Sequence, residues 1–188
     1  MPKIKEFFTP RRLTSMAVLI ALQIVLARFV GLQINEGLRI SFETIPIILA
    51  GIWLGPAEGF IVGFLSDLFG TLISGYGVYF PPLALTPILN GVLPGLCYRY
   101  IFKNRMNFIK CIAMIVVTET ITSLLLGTYI LTWYYQLFVT NKTTTYAILF
   151  VARLSKFATI ACDALIVWLV HKSAYQRAIA PLLAKHAS

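Results

Sequence analysis

The chain has 188 residues, of which 59% are hydrophobic and 12% charged, with a mean hydropathy of +0.82. A soluble domain carries about 25% charged residues, so a water-soluble globular fold is excluded and the composition is that of an integral, multi-span membrane protein. The net charge is +9, yet the cations border apolar segments, so membrane topology explains them and nucleic acid is not an expected partner.

Thr9-Pro10 reads as an N-cap with proline at the first helical position and opens a helix predicted to run from about residue 10 to Val30. Basic residues ahead of its apolar run, Leu13 to Ala27, imitate a secretory signal. Arg28 and further spans follow instead of a small-residue cleavage site, so the segment is expected to remain as the first span. Residues 31–39 read as a polar connection. The apolar stretch 42–54 is short for a span at ~1.5 Å per residue, and Pro46 and Gly51 interrupt it. Gly55-Pro56 marks a tight turn. A third helix is predicted over about 57–73, ending at Ser74-Gly75-Tyr76-Gly77. A fourth starts at Pro81-Pro82 and reaches Phe102 through Pro87 and Pro94. A fifth covers about 108–136, Asn141-Lys142 with three threonines forms the next loop, and a sixth runs over about 146–171. The expected fold is an all-α membrane protein, with six transmembrane helices in one bundle and a single domain over residues 1–188. Cys97, Cys111 and Cys162 fall in or beside apolar segments without metal-ligand spacing and read as reduced packing residues.

Charge sets the expected orientation. Lys3, Lys5, Arg11 and Arg12 precede the first helix, Arg99, Lys103, Arg105 and Lys110 surround the connection between the fourth and fifth, and Lys172, Arg177 and Lys185 follow the last. Only Arg28, Arg39 and Lys142 oppose them, so both termini are expected in the cytoplasm, which requires an even number of spans. Loops 31–41, 74–82 and 137–145 then face outward, with Arg153, Lys156, Thr86 and Asn90 in the outer half and Asp67, Glu119 and Asp163 nearer the midplane.

Charge at bilayer depth costs ~3 kcal/mol per residue on insertion scales, so it faces a bundle interior and marks function or a specific partner. Arg153 and Lys156 lie three apart on one helix face, which Asp163 extends. Opening onto an outward cavity they would attract an anionic ligand, and an arginine can fork onto a carboxylate. The competing reading is that Arg153 snorkels to the interface while Lys156 pairs with Asp163 or Asp67. Tyr79-Phe80-Pro81-Pro82, followed by Leu85, Thr86 and Asn90, can form a preorganised wall for a flat ligand, with Asn90 offering donors and an acceptor to a heterocycle edge. An aromatic interface belt explains Tyr79 and Phe80 equally well. Asp67 and Glu119 could read a donor-rich heterocycle, but a polar clamp with Ser66, Thr118 or Thr122 is the preferred reading for both. Ala17-Val-Leu-Ile-Ala21 permits close helix approach and, read alone, serves internal packing.

No GxxxxGK(S/T) loop is present, so the chain is not expected to hydrolyse ATP. No HExxH, GxSxG or Cys/His cluster points to catalysis, a metal or a cofactor. Two other classes stay open on residues alone. One is a small membrane enzyme modifying lipids or prenyl carriers through Asp67, Glu119 and Asp163; the missing paired-carboxylate spacing argues against it. The other is an autonomous secondary carrier using Asp67 or Glu119 as a proton site, against which stands the lack of an inverted internal repeat.

The block Arg39-Ile-Ser-Phe42, Ile45-Pro46-Ile-Ile-Leu-Ala-Gly51, Leu54-Gly55-Pro56, Gly63, Asp67-Leu-Phe-Gly70 and Tyr79-Phe80-Pro81 resembles the folate-family substrate-binding subunits (S components) of energy-coupling factor vitamin transporters. Ala17-Val-Leu-Ile-Ala21 is similar to the AxxxA coupling motif of that superfamily, and Arg153-Leu-Ser-Lys156 to the basic start of its sixth helix. Glu43 departs from the small or apolar residue that the pattern implies beside Phe42. The resemblance implies a multi-pass protein of a bacterial cell membrane, surrounded by lipid, that binds folate in an outward pocket capped by the first and third loops. It implies a transmembrane coupling protein and two cytoplasmic ATPases as partners, and toppling in the membrane to release the vitamin inside. Pterin and benzoyl rings would stack among Phe42, Tyr79, Phe80 and Pro82, with Thr86 in the pocket and Asn90 on the pterin edge. Arg153 and Lys156 would supply charge, Arg39 would sit near the mouth, and Ala17 and Ala21 would meet the coupling protein. Sister subunits for riboflavin, thiamine or pantothenate share the architecture, so those vitamins are the alternative ligands.

Overall fold

A computed structural model describes residues 9–30, 32–35, 38–40, 42–74, 80–103, 106–138 and 156–173. Helix α1 (Pro10–Val25) passes into a π-helical segment, Leu26–Val30. Thr9 has the extended backbone of a cap (φ −67°, ψ 136°), but its side chain makes no capping bond. Pro10 sets the start, because its missing N–H is one the first turn leaves unpaired anyway.

Where a plain polar connection was expected, strands β1 (Leu32–Asn35) and β2 (Leu38–Ile40) form an antiparallel hairpin that sets Leu32 opposite Ile40 and Gln33 opposite Arg39. The alternation Leu-Gln-Ile-Asn and Leu-Arg-Ile is a strand pattern in miniature. The body of the chain is helical, as predicted.

Helix α2 (Thr44–Trp53) has ten residues, ~15 Å of helix and about half a bilayer's hydrocarbon thickness. It is apolar on every side and therefore buried on every side, with Ile48 and Ala50 at 0% exposure among α1, the two helices that follow it and the last helix. Gly55, at φ +134°, makes the turn as expected, in a conformation that costs other residues strain. Helix α3 (Pro56–Ser74) follows.

A 3₁₀ turn, Pro81–Ala84, leads into α4 (Leu85–Leu96), which continues as a π-helical segment, Cys97–Ile101. The predicted fifth helix is α5 (Phe108–Glu119), a π-helical segment (Thr120–Leu126) and α6 (Gly127–Phe138) end to end. Helix α7 is Lys156–Val170; its predicted start at residue 146 lies outside the described residues.

Glycines let α2, α3 and α4 touch backbone to backbone. A Cβ on Gly51 would strike the Gly91 carbonyl, and one on Gly59 would lie 2.8 Å from the Gly91 carbonyl carbon. Beside this trio, Ile48, Cys111, Ile115, Ala164 and Val167 fill the core between α2, α5 and α7. Cys111 is a packing residue as expected, whereas Cys162 lies exposed on the outside of α7.

The exterior is apolar: Phe29 is 83%, Ile109 78% and Tyr129 68% exposed. Three helical stretches, Pro10–Phe29, Pro56–Ile73 and Phe108–Tyr134, are long and apolar enough to cross a membrane. Exposed hydrocarbon around such helices is the surface that a lipid solvent selects.

Two side-chain bonds lock one end of the bundle. Arg12 Nη1 lies 2.7 Å from Glu58 Oε1, tying the starts of α1 and α3 together. Trp53 Nε1 donates to His171 Nδ1 at 3.3 Å, joining the C-terminal ends of α2 and α7. These two helices therefore run parallel, and β2, which precedes α2, packs beside α7 at the opposite end. Arg39 on β2 and Lys156 at the first turn of α7 thus belong to the same end of the molecule.

Candidate functional site

At the hairpin end a cavity of about 340 Å³ opens between the helices. Helix α1 and its π segment contribute Gln23, Ile24, Ala27 and Arg28, the start of α2 Glu43, Thr44 and Ile47, and α3 Ser66, Asp67, Gly70 and Thr71. Helix α4 adds Thr86, Pro87 and Asn90, and the π segment before α6 adds Ser123. Within each helix these residues recur at three- and four-residue spacing, so each element presents one polar stripe inward.

The chemistry of this wall is unfinished. Gln23 Oε1, Ser66 Oγ and Thr86 Oγ1 are buried without a hydrogen-bond partner among the described residues. A buried polar group left unpaired costs about 1–3 kcal/mol, and native interiors hold few of them. Clustered on one cavity, they form an incipient binding surface. Asn90, 4% exposed, is held from behind: the Thr122 hydroxyl donates to its Oδ1 and lies 2.8 Å from the Thr118 carbonyl. Arg28 Nη2 donates to the Gly70 carbonyl at 3.3 Å and bridges α1 to α3. The Thr71 hydroxyl bonds back to the Asp67 carbonyl at 2.8 Å. Glu43 and Asp67 are near enough for their charges to repel.

Among the residues expected at a site, the structure brings Thr86 and Asn90 to the cavity wall. Phe80 caps the 3₁₀ turn and packs on Trp133 (5.4 Å, edge-on) and Tyr134 (5.6 Å, tilted); neither it nor Pro82 borders the cavity. Phe42 packs against the core around Ile45 and Ile48 instead of the cavity. Arg39 stands on β2 and Lys156 opens α7, but their side chains, like Tyr79 and Arg153 altogether, lie outside the described residues. Ala17 and Ala21 are exposed on α1 beside Val18 and Leu22, opposite its buried Met16, Leu19 and Gln23. Internal packing is therefore not what the alanine pair serves.

Asp67 requires a correction. The preferred reading made it a clamp with Ser66, Thr118 or Thr122; instead it lines the cavity, and among the described residues the Ser66 hydroxyl has no partner. Glu119 and Asp163 are buried, at 4% and 1% exposure, and do not border the cavity. Thr122 is committed to Asn90 and to its own helix. Sequence reasoning missed Gln23, Arg28, Ser66 and Ser123 as wall residues and treated Glu43 as a departure from pattern. The available signal was polarity: Gln23 is the polar member of the buried face of α1.

Apolar, membrane-length helices around an open cavity of small-molecule size, lined in part by polar groups, define a helical membrane protein equipped to hold a solute. The chain belongs to the substrate-specific components of ECF transporters: the family model "ECF transporter, substrate-specific component" matches residues 11–171. Over 101 residues it is 35% identical to the folate transporter FolT of Clostridium novyi (strain NT), covering 54% of this chain and 56% of that protein, so the match spans about half the length of that relative. Its fold is similar to the crystal structure of FolT bound with folic acid, with a TM-score of 0.72 at 22% identity over 89% of this chain and 96% of that one. It is also similar to ThiT from Listeria monocytogenes, with a TM-score of 0.59 at 19% identity over 88% of this chain and 96% of that one. A third likeness is to the S component of a bacterial ECF transporter, with a TM-score of 0.56 at 22% identity over 92% and 97%.

Proposed function

We propose that this chain is a high-affinity folate-binding S component. It captures extracellular folate and delivers it inward with a transmembrane coupling protein and two cytoplasmic ATPases. The observation that carries this reading is the cavity at the hairpin end, lined by buried polar atoms that lack partners among the described residues. The similarity to FolT of Clostridium novyi favours folate over the vitamins of sister subunits. In this reading residues 1–188 form one six-span bundle in a bacterial cell membrane, with both termini cytoplasmic and the hairpin end outside. The ligand's head enters between Gln23, Asp67, Thr86 and Asn90. Arg39, Arg153 and Lys156 meet its carboxylates, with Tyr79 toward the mouth.

Purified chain in detergent, without ATP, is expected to gain thermal stability with folic acid. Ligand at 100 times its Kd adds about 2.7 kcal/mol to a state that alone binds it. A shift with riboflavin, thiamine or pantothenate and none with folic acid or its reduced forms would overturn the assignment.

A further inference from the structure

Two carboxylates, Asp67 and Glu43, share a cavity wall with Gln23, whose buried Oε1 has no donor among the described residues. Ionised carboxylates accept hydrogen bonds and cannot donate them, so Asp67 presents acceptors to the cavity. Asn90 differs, because its Oδ1 is already taken by Thr122 and its amide N–H groups are what it has left to give. Among the described residues Arg28 is the cation on the wall, and its Nη2 is turned to the Gly70 carbonyl.

We propose that Asp67, with Glu43 and Gln23 beside it, forms an acceptor face that selects a head group carrying adjacent N–H donors, and that Asn90 serves an acceptor on the same head group. A 2-amino-4-oxo heterocycle has this arrangement: its 2-amino group and ring N3–H lie side by side, matched to the two oxygens of one carboxylate, and its 4-oxo oxygen accepts. A flavin edge reads acceptor, donor, acceptor and would set its carbonyl oxygens against carboxylates. The acidic face also repels a carboxylate tail, which leaves the tail for the mouth. Ser66, fully buried and with no hydroxyl partner among the described residues, and Thr86 complete the contacts by donating or accepting as required.

This inference rests on the folate reading, and the experiment separates the two. Wild-type protein is titrated with folic acid, with pterin, and with lumazine, in which an oxo group replaces the 2-amino group of pterin. Folic acid that does not bind at all overturns the folate reading before any variant is made. If folic acid binds, pterin is expected to bind about 100-fold tighter than lumazine, since a buried site rejects a partner that leaves its polar groups unpaired. Equal affinity for pterin and lumazine overturns the acceptor face while the folate reading stands. Asp67→Asn is expected to weaken folic acid about 100-fold and to narrow the gap between pterin and lumazine, with Asp67→Glu recovering part of both. Unliganded melting of each variant monitors folding, and because the wild-type comparison needs no variant, an unstable Asp67→Asn leaves the test intact. An Asp67→Asn protein that melts as wild type and keeps both affinity and discrimination also overturns the proposal.

Discussion

Ala17→Trp is expected to reduce vitamin uptake by whole cells to background while leaving the Kd of the purified chain unchanged. Ala17 lies on the exposed face of α1, in line with Leu13 and Ala21 and beside Val18, all of them outside the bundle. An indole added there projects from the exposed face of α1, and an exposed apolar residue on a membrane helix does not strain the fold. What it removes is the shallow surface that small residues offer to a second helix, where packing at close range supplies the binding energy in lipid. The opposite face of the same helix carries Gln23 into the cavity. One rod therefore connects the ligand's wall to the proposed docking surface, and bulk on one side leaves the other in place. Uptake of ligand into cells carrying the full transporter, beside titration of the isolated chain, separates the two effects. Undiminished uptake removes the docking role, and a parallel loss of binding places the side chain inside the fold after all.

Gly91→Ala is expected to lower the melting temperature of the unliganded chain markedly. The added Cβ would run into the Gly59 carbonyl, with the carbonyl carbon at 2.7 Å and Gly59 Cα at 3.1 Å. These are backbone atoms in the first turn of α3, so no rotamer change relieves the contact, and α3 and α4 must separate. Overpacking by a methylene costs ~1–3 kcal/mol where side chains can yield, and here they are not the obstacle. Asn90 is the neighbouring residue, so the same displacement moves a cavity wall, and ligand binding is expected to fall with stability. Gly70→Ala is the control for helix propensity, because a Cβ there has no atom within 4 Å. It should be neutral or stabilising by about 0.5–1 kcal/mol. Unliganded melting in detergent decides: if Gly91→Ala melts with Gly70→Ala, the backbone contact does not hold α3 against α4.

Several local features were legible before any coordinates. Pro10 opens α1, Gly55-Pro56 turns α2 into α3, and Pro81-Pro82 leads into α4, because proline and glycine restrict the backbone irrespective of what surrounds them. Asn90 and Thr86 stood out because polar groups in an apolar helix are too costly to leave without a task. The hairpin at Leu32–Ile40 was missed because strands of three and four residues carry almost no periodic signal. The π-helical segment Thr120–Leu126 leaves no mark in composition, yet it sets Thr122 on Asn90 and Ser123 on the cavity.

Hydropathy, charge distribution and backbone-restricting residues were sufficient to establish an apolar helical bundle and the order of its helices, since these depend on each segment's own exchange between water and lipid; its S-component character came from the resemblance carried by blocks such as Asp67-Leu-Phe-Gly70 and Tyr79-Phe80-Pro81. Which polar residues meet is another matter. Gln23, Glu43, Asp67 and Asn90 come from four elements far apart along the chain, and their convergence depends on helix rotation and on the close glycine contacts of α2, α3 and α4. The packing moved Asp67 from an assumed clamp to a cavity wall, gave the anomalous Glu43 a place beside it, and turned Ala17 outward. Each outcome is the side of a helix that its neighbours leave free, a quantity defined only once the helices are assembled.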